Sequence, residues 1–195
     1  MEIVSYLYAI VSSVLLFFLV FPFIKVFFSF FTKEKLHAPA QQKRFDYGCI
    51  ITAYRNADIA KGLVKSLLRQ RYERHHIYLV ADNCDVSRWD IFDEKLTVLR
   101  PAEPLNLKAK SILHGIENFK RNHDFIVVFD ADNLAHPDFL QEINRCANSG
   151  HTCIQGQRTA KNLDTVYACA DATGEFYKNY TERLDINNSA IVEFD

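Results

Sequence analysis

Asp130, Ala131 and Asp132 stand directly behind the run FIVVF, residues 125–129. A strand-length apolar segment that breaks into carboxylates at i and i+2 can turn both toward one cation, with the small Ala131 leaving room between them. Hard anionic oxygens suit Mg2+ or Mn2+, which keep open positions for the phosphates of a substrate. A cation held there would offset charge developing on a leaving diphosphate. The competing use of the same residues is a loop in which Asp132 caps a turn ahead of His136-Pro137. Asp82 ends a second apolar run, IYLVA, and opens the sequence DNCD. It can accept hydrogen bonds from the base or sugar of a nucleotide, or close an Asx turn. Lys108 and Lys110 begin a helix-like segment, against the preference of a helix N-terminus for negative charge. A diphosphate would explain them, and so would plain exposure to water. His136, beside the acidic pair, is a candidate third ligand. The other histidines lack HExxH-type spacing. No Ser-His-Asp or Cys-His arrangement follows from the spacing, and no residue is assigned as a catalytic base.

These groups have to be held at one edge, and the pattern of elements supplies one. Short apolar runs at 49–53, 77–81, 96–99, 125–129 and 152–155 alternate with helical periods at 57–70, 107–119, 137–147 and 163–184. Strands this apolar, alternating with helices, predict an α/β fold whose sheet is mainly parallel and covered on both faces. Right-handed crossovers place the carboxyl ends of all strands on one edge, where such sheets bind ligands. Tyr54-Arg55-Asn56, Asp82 to Asp85 and Asp130 to Asp132 all fall there. The chain has only six glycines, with neither GxGxxG nor GxxxxGK[ST] after the first strand. This argues against a classical dinucleotide-binding fold and a P-loop ATPase.

The first 31 residues have a different character. Eight of the 16 Phe lie in them, and Ile3 to Ile24 form 22 residues without a charge. That length crosses a hydrocarbon core of about 30 Å. Glu2 in place of a basic n-region, the long apolar run and the lack of a small-x-small site argue against a signal peptide. Lys25, Lys33, Lys35, Lys43 and Arg44 all follow the run. The positive-inside rule then predicts a single-pass membrane protein, its N-terminus outside and its globular part cytoplasmic. The expected organisation is an anchor over 1–31, a linker over 32–46 and a globular domain from 47 to 195. A net charge of -1 and five cysteines without CxxC spacing speak against bulk nucleic-acid binding, a zinc site and a disulfide scaffold.

Four segments in order carry a resemblance. CIITAYRNAD (49–58) is similar to the "PAYNEE" entry of the family 2 glycosyltransferases, and LVADNCD (79–85) to their "VADNCTD" loop. LNLKAKSI (105–112) resembles their "GKxxAL" segment, and VVFDADNLAHPDFL (127–140) their "DAD…PDFL" segment. The match runs over residues 48–157 and resembles most the membrane-bound, polysaccharide-synthase-like members. It implies a GT-A type fold, with Tyr54, Asp82, Lys108, Lys110 and Asp130 at a nucleotide diphosphate sugar, a UDP-sugar by expectation. It implies further that Asp130 and Asp132 hold Mg2+ or Mn2+, and that the sugar passes to a hydroxyl acceptor with inversion. Polysaccharide-synthesis proteins are then the expected partners, beside the bilayer. The acceptor half of the family, with its "ED" base and "QxxRW" motif, has no counterpart after Asp132. The expectation is an incomplete domain, the donor-binding half. Rival readings of the residues are another Mg2+-dependent enzyme of nucleotidyltransferase or phosphatase type, and a tethered nucleotide-binding module without catalysis.

Overall fold

The computed structural model describes residues 2–29, 42–160, 162–182 and 189–192. Two compact units divide the chain, one of Ala38–Asn148 and one joining Met1–His37 to Ser149–Asp195.

The first of these is built on a four-stranded parallel sheet of order β3-β2-β1-β4: β1 (Tyr47–Asn56), β2 (His75–Asp85), β3 (Leu96–Leu99) and β4 (Phe125–Asp130). A short 3-10 turn (Asp58–Ala60) leads into α2 (Lys61–Leu68); α3 (Lys108–Glu117) and α4 (Phe139–Asn148) follow. β1 and β2 form the centre, in the register Ile50↔Tyr78 and Ile51↔Leu79, and all four of these side chains are buried. Side chains alternate between the faces of a strand, so the two faces can be read off separately. Gly115 of α3 lies against Ile50 and Val80 on one face. Phe129 meets Phe139 of α4 on the other, with ring centroids 5.4 Å apart. Val128 is level with Ile50 across the β1–β4 ladder and thus on the α3 face. Val128 is nevertheless 42% exposed and Ile126 46%. Helices lie on both faces as expected, but α3 packs over β1 and β2 and leaves β4, an edge of the sheet, partly open.

The central strands run beyond the apolar runs expected of them. β2 begins at His75 and ends at Asp85, since buried polar residues continue it. His75 Nδ1 bonds the Tyr72 carbonyl at 2.8 Å, and His76 Nε2 the Thr97 hydroxyl at 2.8 Å. At the amino edge of the sheet the Asp46 carboxylate joins His123 Nδ1 and Arg121, while His123 Nε2 meets the Tyr78 hydroxyl at 3.0 Å. Asn144 of α4 ties the same edge together. Its Oδ1 accepts from the hydroxyls of Tyr47 and Tyr72 and from the Phe45 amide. Pro137, expected in the first helical turn, instead precedes α4, and its carbonyl accepts the Arg71 amide.

The second unit contains α1 (Glu2–Ser29), β5 (Cys153–Gly156), α5 (Val166–Glu182) and β6 (Ser189–Val192). β5 and β6 pair in parallel, a strand pairing that the sequence pattern did not anticipate at β6. Tyr167, Phe176 and Tyr177 of α5 are exposed. Along α1, Ile3–Ile24 is long and apolar enough to cross a membrane and is not buried against the rest of the chain. Glu193 and Asp195 lie outside the described residues, as do most of the linker and the side chains of Lys25, Tyr180 and Glu182.

Candidate functional site

β1, β2 and β4 end together. Tyr54 pairs with Asp82 across one ladder, and Thr52 with Asp130 across the other. The chain builds β1 to β3 outward and then returns to lay β4 on the opposite side of β1. Such a reversal opens a crevice at the carboxyl ends of the strands. Backbone strain collects at the same edge. The residues other than glycine with positive φ, among those described, are Arg55 (64°), Asn83 (52°) and Asn106 (54°). The left-handed region costs Arg55 about 1–2 kcal/mol and the two asparagines less, and such conformations persist where surrounding contacts impose them.

Contacts around Asn106 connect four of the sequence candidates. Asp82 is 2% exposed. Its two carboxylate oxygens accept the backbone amides of Leu105 and Asn106, at 2.8 and 2.9 Å. Asn106 in turn receives the Tyr54 hydroxyl on its Oδ1 at 2.9 Å. Two residues on, Lys108 places its ammonium against the Asp130 carboxylate. Tyr54, Asp82, Lys108 and Asp130 are thereby one chain of contacts, with Asn106 as the link that sequence reading missed. The available signal was an asparagine just ahead of a helix, a residue type that tolerates left-handed backbone. Asp82 works here from beneath the edge, fixing the loop that carries Lys108. The Asx turn within DNCD belongs to Asp85, whose carboxylate accepts the Ser87 amide and hydroxyl. Those bonds hold Asp85 below the usual carboxylate range.

Lys110 is not brought into this group. Residues two apart on a helix do not share a face, and Lys110 lies exposed on the first turn of α3. Asp132 is exposed beyond Asp130. His136 Nδ1 instead accepts the Asp138 amide at 3.2 Å. Among the described residues no group of three His, Cys, Asp or Glu gathers to hold a metal ion. The donor set on offer is the exposed carboxylates of Asp130 and Asp132, hard oxygen ligands of the type that Mg2+ or Mn2+ takes beside water and substrate phosphate. It does not fit a closed structural metal.

A hollow of about 380 Å3 lies beside Asp82, lined by Asn83, Cys84, Asp85, Arg100 and Pro104 among others. Its size falls in the range of small-molecule sites. Burial pushes the Cys84 thiol up, which leaves it protonated and a poor nucleophile at neutral pH. A second hollow, of about 520 Å3, lies farther along the loop between β2 and β3, against Trp89, Ile91, Phe92 and Leu96.

Solved structures share this architecture. The mannosyltransferase PcManGT from Pyrobaculum calidifontis, in complex with GDP-Man and Mn2+, superposes with a TM-score of 0.57 at 17% identity, over 73% of this chain and 46% of that one. TarS 1-349 of S. aureus gives 0.50 at 15% identity, over 62% and 38%. A longer TarS structure gives 0.51 at 15%, over 62% and 23%. The chain thus spans less than half the length of each. No curated protein sequence matches it. The likeness to solved structures fixes the fold as GT-A type, and the sequence pattern of one family, described as glycosyltransferase like family 2, runs from residue 45 to residue 191. The chain belongs to that glycosyltransferase family.

Proposed function

We propose that the carboxyl edge of the sheet binds a nucleotide diphosphate sugar with Mg2+ or Mn2+. From there the protein transfers the sugar to a hydroxyl acceptor with inversion, in synthesis of a surface or cell-envelope polysaccharide at the cytoplasmic face of a membrane. The observation that carries this reading is the linked set Tyr54–Asn106–Asp82 and Lys108–Asp130 at the strand ends. A cationic ammonium beside an exposed carboxylate, with a second carboxylate two residues on, matches a ligand with both a diphosphate and a bound cation. PcManGT was solved with GDP-Man and Mn2+, a ligand of that class.

Each residue has a task in this scheme. Asp82 and Asn106 hold the loop ahead of α3. Lys108 meets the diphosphate as a point charge. Asp130 and Asp132 are the hard oxygen ligands. The bound cation would neutralise the leaving diphosphate. Positioning of C1 in line with the acceptor, and proton removal from its hydroxyl, complete the transfer. No described residue is assigned the proton-removing role.

Calorimetry on the full chain in detergent tests the reading, with UDP and GDP titrated in the presence and absence of Mn2+. Affinity should depend on Mn2+. Asp130→Asn and Asp132→Asn should each weaken the Mn2+-dependent part by roughly tenfold or more, the scale of one lost charged ligand. Unchanged binding in both variants, with circular dichroism intact, would return the motif to a turn.

A further inference from the structure

Lys108 is the first residue of α3, and its surroundings there are unfavourable for a cation. The residue before it, Leu107, offers no side-chain cap, and the first turn contains no acidic residue. The helix dipole opposes positive charge at that end. What holds the ammonium is Asp130, 22 residues away and on a different element. Both side chains are about half exposed, 52% and 53%, so the pair is open to exchange with groups arriving from solvent. The backbone beneath Lys108 is tied down by the Leu105 and Asn106 amides, which donate to Asp82, and by the Tyr54–Asn106 contact. Only the four-carbon stem is left to move.

We propose that Lys108 is an internal counter-cation for Asp130, released when a nucleoside diphosphate arrives, so that metal and nucleotide bind as a coupled pair. The proposal rests on the donor-site reading above. With the site free of nucleotide, the ammonium covers one carboxylate that would ligate the cation and reduces the negative charge that attracts it. A diphosphate offers Lys108 a partner of higher charge within reach of its stem. The swing from carboxylate to phosphate then exposes Asp130 at the moment the phosphates can supply further ligands. Lys108 thus disfavours metal without nucleotide and favours the two together. By linkage, each ligand then raises the affinity for the other by the same factor.

Removing the ammonium should have opposite effects on the two binding steps. The probe is Mn2+ alone, read by the electron paramagnetic resonance of the free ion, on the full chain in detergent with and without UDP. Lys108→Met keeps the stem length, and Lys108→Gln serves as a second variant of similar reach. Exposed ion pairs are worth little, so both variants should bind Mn2+ without nucleotide about twofold to fivefold more tightly than wild type. The factor by which UDP sharpens Mn2+ binding should fall by a similar amount. Lys108→Arg, which can still bond the carboxylate, should behave like wild type. Folding is checked by circular dichroism. Nucleotide-free Mn2+ affinity that is unchanged or weaker in both variants overturns the exchange while leaving the donor site standing, provided UDP still binds. A wild-type chain whose UDP binding ignores Mn2+ would overturn the donor-site reading and the exchange with it.

Discussion

Asp82 shows how one buried carboxylate sets up an exposed site. A carboxylate that accepts two backbone amides makes charge-assisted bonds, and at 2% exposure it has little water to fall back on. Asp82→Asn keeps the shape but turns an amide NH2 toward one of the two donors, Leu105 N–H or Asn106 N–H. Leaving such a group unmet costs about 1–3 kcal/mol. The expected outcome is a lower urea midpoint together with weaker UDP binding, because the loop beneath Lys108 loosens. A variant that binds UDP as wild type does while losing stability would confine Asp82 to folding. Asp82, Asp130 and Asp132 could be picked out in the sequence, because an acid that stops an apolar run stands out, although β2 runs on past Asp82 to Asp85. Asn106 was not legible. Its part depends on a positive φ and on a hydroxyl 52 residues away in Tyr54, and neither leaves a local pattern.

His76 gives a second prediction at the same scale. Burial, with Arg121 and Lys120 nearby, pushes its imidazole down from 6.5 to about 4. The unfolded chain therefore binds the proton more readily than the folded one between those two values. The stabilising contribution is complete above about pH 6.5 and is lost as pH falls toward 4. Urea midpoints at pH 7 and pH 4.5 should show the drop. His76→Gln, which can still bond the Thr97 hydroxyl, should make the drop smaller. Equal pH dependence in the two proteins would rule His76 out as a source.

At the scale of elements, the amino edge of the sheet is closely packed around Gly48. A Cβ on Gly48 of β1 would come within 2.8 Å of the His123 ring and 2.9 Å of Phe119. The ring cannot move aside freely, since Asp46 and Tyr78 bond its two nitrogens. Gly48→Ala should therefore destabilise by roughly 1–3 kcal/mol, the usual cost of overpacking, even though alanine is otherwise at home in a strand of this kind. Thermal melting would check it, and an unchanged midpoint would mean that the edge is looser than these contacts imply. The same edge explains what the sequence concealed about the strands. His75 and His76 precede the apolar run 77–81 in the sequence, yet β2 includes them because each ring finds a partner inside. FIVVF reads as a strand wet on neither face, yet β4 is an edge with Ile126 and Val128 exposed. A short continuous apolar run is consistent with a strand but does not tell its place in the sheet.

At the scale of the whole molecule the decisive segment is α1. Its Ile3–Ile24 stretch is 22 residues long and not buried by the rest of the chain. At 1.5 Å per residue this is about 33 Å of helix, enough for a core of about 30 Å. Inside a bilayer the helical backbone satisfies its own amides, except at Pro22, which lies inside α1 and leaves the Phe18 carbonyl without its usual amide donor. The basic residues that follow, Lys25 to Arg44, oppose a flank that holds only Glu2. We therefore expect a membrane-spanning helix with the sheet on the cytoplasmic side. The chain should stay in the membrane pellet through alkaline carbonate. A C-terminal tag should survive protease in sealed right-side-out vesicles and be lost in inverted ones. Val14→Arg combined with Phe17→Arg places two charges mid-helix at a cost of about 2.5–3.5 kcal/mol each, and should move the protein into the soluble fraction. A shortened soluble product from the unaltered chain would make the segment a cleaved leader. A tag degraded in right-side-out vesicles would reverse the orientation, and with it the side of the membrane from which any donor is drawn.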